Sequence, residues 1–179
     1  MSLSLSESSA RSGGHCWVER RLFEVLGAWA PATGLAEATV LLDRHSLHAA
    51  WRAGQWWERL PLLAEVDRDA LVAPPAGWER LLGPAGGPPP PPPGPVAALA
   101  LVYRVVLPRL LASYREHAGR ASPVADGPVL RTLRHAADDV RADREEGEAA
   151  LLGLLDDETT VEDAAAAVRR AEKAWLVTD

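Results

Sequence analysis

Apolar residues recur at intervals of three and four along almost the whole chain, the period of an α-helix that buries one face. Clusters of β-branched residues are few, and no Asn-Gly or Asp-Gly turn joins alternating runs, so the pattern predicts an all-α protein. A first helix is expected from Cys16 to Ala30, with Val18, Leu22, Val25, Leu26 and Trp29 on one stripe and Pro31 as its stop. Thr33 or Gly34 then caps a long second helix that carries Glu37 in its first turn. Its stripe runs Ala38, Leu41, Leu42, His45, His48, Ala49, Arg52, Trp56 and Leu60, and Pro61 ends it. So short a connection implies an antiparallel hairpin.

The helical period then lapses. Residues 64–95 read as a crossover linker, with one short helix expected around Ala76 to Leu82 and a proline run, 88–93, expected to be a polyproline II spacer of about 19 Å. No basic residue flanks the run to orient a proline-binding partner domain, which favours the spacer. A third helix is expected from Val96 to His117, kinked at Pro108 and closed by Gly119, with Leu99, Val102, Tyr103, Val106, Leu110, Tyr114 and His117 inward. A fourth follows, with Asp126 as N-cap, Pro128 in the first turn, and Leu130, Leu133, Ala137, Val140, Gly147, Leu151 and Leu154 inward. Residues 160–163, "TVED", read as a capping box for a fifth, Ala-rich helix ending near Trp175.

Composition narrows the class. A chain of 179 residues is the size of one domain, expected to span 15–179 behind a Ser-rich disordered tail, 1–14. A net charge of −6 without a basic face argues against a nucleic-acid surface. The stretch from Val96 to Leu111 contains Arg104, Pro108 and Arg109, and is expected to be too short and interrupted to span a bilayer. Cys16 is the only cysteine, so no internal disulfide can form, and a reducing, cytoplasmic setting is expected.

The order hairpin, long crossover, hairpin, together with "HSLHAAW" in the second helix and "YREH … D.P..R.L" across the third and fourth, resembles the ferritin-like superfamily over Cys16 to Leu155. That resemblance implies a four-helix bundle, and for its di-iron members a ligand set of two Glu and two Glu-x-x-His pairs. This chain departs from the set. Glu19 can turn inward from the first helix, whereas Glu24 points away. His48 would need an acid at position 45, which is His. The third helix has no acidic residue between Val96 and Arg115, and Glu116 lies too near its end. On the fourth, Asp138 and Asp139 fall off the stripe, and the residue three after Asp139 is Ala142. A complete di-iron site cannot be assembled, so no cofactor is expected.

The inward polar residues are then Glu19, His45, His48, Tyr103, Tyr114 and His117. They admit three readings: a hydrogen-bonded cluster using the two tyrosines, a single iron or zinc held by Glu19, His45 and His48, or a pocket for an organic ligand. For Glu19 the simplest partner is Arg52, which projects near the same face of its helix. Cys16 beside His15 is a poor nucleophile pair, because adjacent residues on a helix diverge. Asp138-Asp139 and Glu145-Glu146 read as a solvated face. Val40, Leu47, Trp51 and Trp57 project away from the His45 stripe and form a candidate interface, to be covered by the fifth helix, a second subunit or a partner protein. The function expected is binding, of a partner or a small molecule. The alternative is an enzyme built on Glu19, His45 and His48, oxygenase-like if it holds one metal.

Overall fold

The computed structural model describes residues 3–62 and 66–176, and within them it is all-helical, with no strand. Residues 1–2 of the expected tail, 64–65 of the expected linker and 177–179 of the expected domain lie outside the described residues. Six helices are present among those described: α1 (Leu5–Trp29), α2 (Ala36–Trp57), the short α3 (Trp78–Leu82), α4 (Pro95–Arg120), α5 (Gly127–Leu154) and α6 (Glu158–Leu176). The helices α1 and α2 form the expected hairpin and share the most extensive contact in the fold, while α4 packs on α5 and α6, and α5 returns to α2. One apolar core runs through all of them.

The expected disordered tail is corrected: α1 begins at Leu5, eleven residues before Cys16. Ser4 and Glu7 form a reciprocal capping box, in which the Ser4 hydroxyl accepts from the Glu7 N–H and the Glu7 carboxylate accepts from the Ser4 N–H. The serines and glycines of this segment are packing residues. A Cβ on Gly13 would lie 1.8 Å from the Leu71 carbonyl oxygen, and one on Gly14 would lie 2.8 Å from Pro75, so only hydrogen side chains admit the crossover here. The crossover is held elsewhere too. Arg21 donates to the carbonyls of Leu82, Gly87 and Pro88, and the Trp29 indole donates to that of Pro90.

Several helix ends also differ from expectation. The N-cap of α2 is Leu35, because Gly34 takes a left-handed φ of 70° and Thr33 spends its hydroxyl on the turn. Gly119 does not close α4, which continues to Arg120 with no left-handed residue. Asp126 is the N-cap of α5 by position, but its carboxylate accepts from the Ser122 N–H instead. The box before α6 pairs Asp157 with Thr160, three residues ahead of the one expected. Just upstream of Pro108, where a kink is expected, Val102–Val106 form a π-turn in which Leu107 donates to the Val102 carbonyl. The extra residue absorbs the donor that proline cannot supply.

Because α4 passes through the π-turn without breaking, Pro95–Arg120 is long and apolar enough to cross a membrane by length and composition, contrary to expectation. Two thirds of its apolar window is nevertheless buried against the other helices, as in a core helix. The last helix packs on the first half of α4 and on α3, and does not cover the outer face of α2. Val40, Leu47 and Trp51 therefore stand 63%, 58% and 55% exposed. Trp57 is not part of that exposed face. It is half-buried, with the guanidinium groups of Arg20 and Arg68 over its ring.

Candidate functional site

A polar network crosses the bundle interior and draws on α1, α2, α4 and α5. Its centre is Arg52 of α2, whose Nε donates to Glu19 Oε1 of α1 at 2.7 Å and whose Nη1 donates to Asp143 Oδ2 of α5 at 2.7 Å. All three side chains are 5% exposed or less. The Tyr114 hydroxyl of α4 donates to the same Glu19 oxygen at 2.5 Å and accepts from the Trp56 indole at 3.1 Å. Glu19 Oε2 is buried with no hydrogen-bond partner among the described residues. Burial pushes the Glu19 carboxyl above the usual range, and the Arg52 charge beside it opposes that rise. Burial would likewise lower Arg52, but the Glu19 carboxylate more than reverses this and the guanidinium stays charged. The expected Glu19–Arg52 pair is thus present, extended by an acid that sequence reasoning missed.

That acid also changes the partners of the histidines. Asp143 Oδ1 lies 2.7 Å from His48 Nδ1 and 3.6 Å from His45 Nε2. His45 Nδ1 meets the Tyr103 hydroxyl at 2.8 Å, and its Nε2 meets Glu146 Oε2 at 3.2 Å. The expected trio of Glu19, His45 and His48 is corrected, since the Arg52 guanidinium takes up Glu19 and the acid beside the histidines is Asp143. His48 is corrected as well: its side chain is 46% exposed at the bundle edge and not inside it. Burial lowers the pKa of His45 and raises that of Tyr103, so both are neutral at pH 7. Gly147 seats this tyrosine, for a Cβ there would fall 2.2 Å from the Tyr103 ring.

His117 does not join His45. It lies fully buried toward the other end of the bundle, where its Nδ1 meets His15 Nε2 at 3.1 Å beside the rings of Trp56 and Tyr114. Burial pushes His117 down to about 4 and His15 well below its ordinary value, so the pair is neutral, one ring donating to the other. Cys16 is buried and donates to the Ala53 carbonyl, and burial raises its thiol pKa, in keeping with its rejection as a nucleophile.

Above His15 opens a cleft of about 800 Å³ between the first turns of α1, the crossover, α4 and α6. Its walls are largely apolar, from Leu71, Pro74, Pro75, Ala112, Trp78 and Trp175, with His15 and Ser113 as polar points and Arg11, Arg109 and Arg120 at its edges. Those arginines are paired with Glu116, Glu172 and Glu7 respectively. The volume falls within the range of small-molecule sites.

The chain matches no family model, no curated protein and no solved structure.

Proposed function

We propose that the chain is a degenerate ferritin-like bundle that works by binding, in a reducing, cytoplasmic setting, and that its ligand is a largely apolar organic molecule with a polar end. The observation that carries this reading is the cleft, which joins an apolar wall to a few polar points. The interior supports it from the other direction. There the inward carboxylates of Glu19 and Asp143 both clasp the Arg52 guanidinium and are not left to bind a pair of cations. The binding reading needs no cofactor. The outer face of α2 supplies a second surface in this reading, since Val40, Leu47 and Trp51 would be covered by a second copy or a partner protein. An enzyme built around His45 and His48 draws support from the convergence of Asp143 on them.

The probe for the cleft is anilinonaphthalene sulfonate, an aromatic anion of suitable size. The folded protein should bind one equivalent saturably, and Ala112→Trp, an exposed residue turned to fill the cleft, should abolish that binding without changing the melting temperature. Equal binding by wild type and variant would refute the assignment.

A further inference from the structure

We propose that His45, His48, Asp143 and Glu146 form a binding site for one divalent transition metal of the zinc type, clamping α2 to α5. This inference does not rest on the cleft. Three donor atoms converge, His45 Nε2, His48 Nδ1 and Asp143 Oδ1, and the half-exposed Glu146 reaches His45 Nε2 from the rim with its Oε2. The atoms offered by the first three lie within 4.8 Å of one another, and Glu146 Oε2 is 3.2 Å from His45 Nε2. A tetrahedral site with bonds of about 2.0–2.1 Å has edges of about 3.3 Å, so closing His45, His48 and Asp143 on an ion requires shifts of about an ångström or less, with the half-exposed Glu146 swinging in from the rim.

A second layer of contacts lies behind the donors. In three of the four residues the atom that would not bind the metal is already tied to another group. Asp143 Oδ2 accepts from Arg52, His45 Nδ1 meets the Tyr103 hydroxyl, and Glu146 Oε1 accepts from Arg44. Such outer contacts orient metal ligands and fix the histidine tautomer. The Tyr103 hydroxyl, seated by Gly147, can accept a hydrogen bond from Nδ1–H as readily as donate one to a bare Nδ1, so His45 can carry its proton on Nδ1 and present a bare Nε2 with no proton lost to solvent. His48 does the same by carrying its proton on Nε2, since its side chain is half-exposed. Two imidazoles and two carboxylates suit zinc and its neighbours, and differ from the Glu and Glu-x-x-His set of the ferritin-like resemblance. With Glu146 drawn in as the fourth protein donor no position is left open, which makes the metal-bound site a structural one.

The test is titration of the metal-free full chain with Co²⁺ and Zn²⁺, read by visible absorption and by calorimetry. Wild type should take up one equivalent with the intense visible bands of tetrahedral cobalt, displaced by zinc, and zinc should raise the melting temperature. His48→Ala, at a half-exposed position that leaves the fold intact, should weaken binding by at least about 100-fold and remove the zinc-dependent thermal shift. Tyr103→Phe should weaken it by about 10-fold through His45. His135→Ala, an exposed histidine elsewhere on α5, should change nothing. The proposal is overturned by a wild type without saturable one-equivalent binding, or by equal binding in His48→Ala. A failure here leaves anilinonaphthalene sulfonate binding untouched, so the two readings fall separately.

Discussion

Replacing Arg52 with methionine keeps most of the side-chain volume and removes the one cation lying between Glu19 and Asp143. Both carboxylates then lose their permanent cation, and Glu19, fully buried, keeps only the Tyr114 hydroxyl while Asp143, 5% exposed, keeps only the imidazoles beside it. Breaking a buried ion pair from one side costs about 3–5 kcal/mol, out of a total stability of about 5–15 kcal/mol for a domain of this size. The loss should depend on pH in a definite direction. Burial already holds Glu19 above the usual carboxyl range, with Arg52 opposing it. Without Arg52 the folded-state pKa rises further above the unfolded value. The folded variant therefore binds a proton that its unfolded form does not, and the deficit relative to wild type narrows as the pH falls from 7 towards 5. Urea unfolding followed by far-ultraviolet circular dichroism, on both proteins at both pH values, measures this directly. Adding Glu19→Gln to Arg52→Met should restore about 1 kcal/mol or more at pH 7, because an amide needs no counter-ion. A single variant within about 1 kcal/mol of wild type at pH 7, or a deficit independent of pH, would refute the reasoning.

Three further outcomes are expected. His117 falls from near 6.5 when unfolded to about 4 when folded, so between these values the unfolded chain binds more protons and stability declines with acidification; the decline attributable to His117 is about 3 kcal/mol, and His117→Gln should flatten the plot of unfolding free energy against pH over that window. Gly147→Ala places a methyl group against the Tyr103 ring and should cost about 1–3 kcal/mol in a thermal melt; an unchanged melting temperature would show that the tyrosine can move aside. Trp51→Glu on the exposed face of α2 should convert the protein to a smaller species in light scattering with its melting temperature intact, whereas a wild type that is monomeric at all concentrations would remove the interface.

The parts of the fold that can be read from the sequence are those in which one stripe and one proline decide the matter. The stripe of α2 from Ala38 to Trp56 is buried at every position except His48, and Pro31 and Pro128 lie at helix boundaries, whereas Pro61 stands four residues past the end of α2. The first three turns of α1 are not readable that way. Their buried face consists of Ser8, Ser9, Ser12, Gly13 and Gly14, which carry no hydrophobic signal and are chosen because backbone must approach them. The local signal that does mark this helix is the Ser4–Glu7 capping box, which outweighs a Ser-rich composition. The seating of α6 is hidden for a similar reason. Its buried contacts are Ala164, Ala167 and Ala171, so a small-residue face at intervals of three and four does the packing while Val161 stays exposed.

The site is readable where each residue lies on the apolar stripe of its own helix. Glu19 and Arg52 meet as their stripes predict, and His45 finds one of the two expected tyrosines. What escapes is the contribution of α5. Scanning it for Glu-x-x-His leads to Asp138 and Asp139, which point outward, and treats Glu145-Glu146 as a solvated pair. Yet Asp143 lies three residues after Val140 and four before Gly147, both on the inward stripe, so helical spacing alone places an acid on the buried face opposite Arg52. A charge on an apolar stripe demands a partner of opposite sign, and the only inward cation on α2 is Arg52. Glu146 follows one turn later, at the edge of the same face. Its own exposure hides it, and only the reach of His45 across from α2 reveals that half of its carboxylate belongs to the interior network.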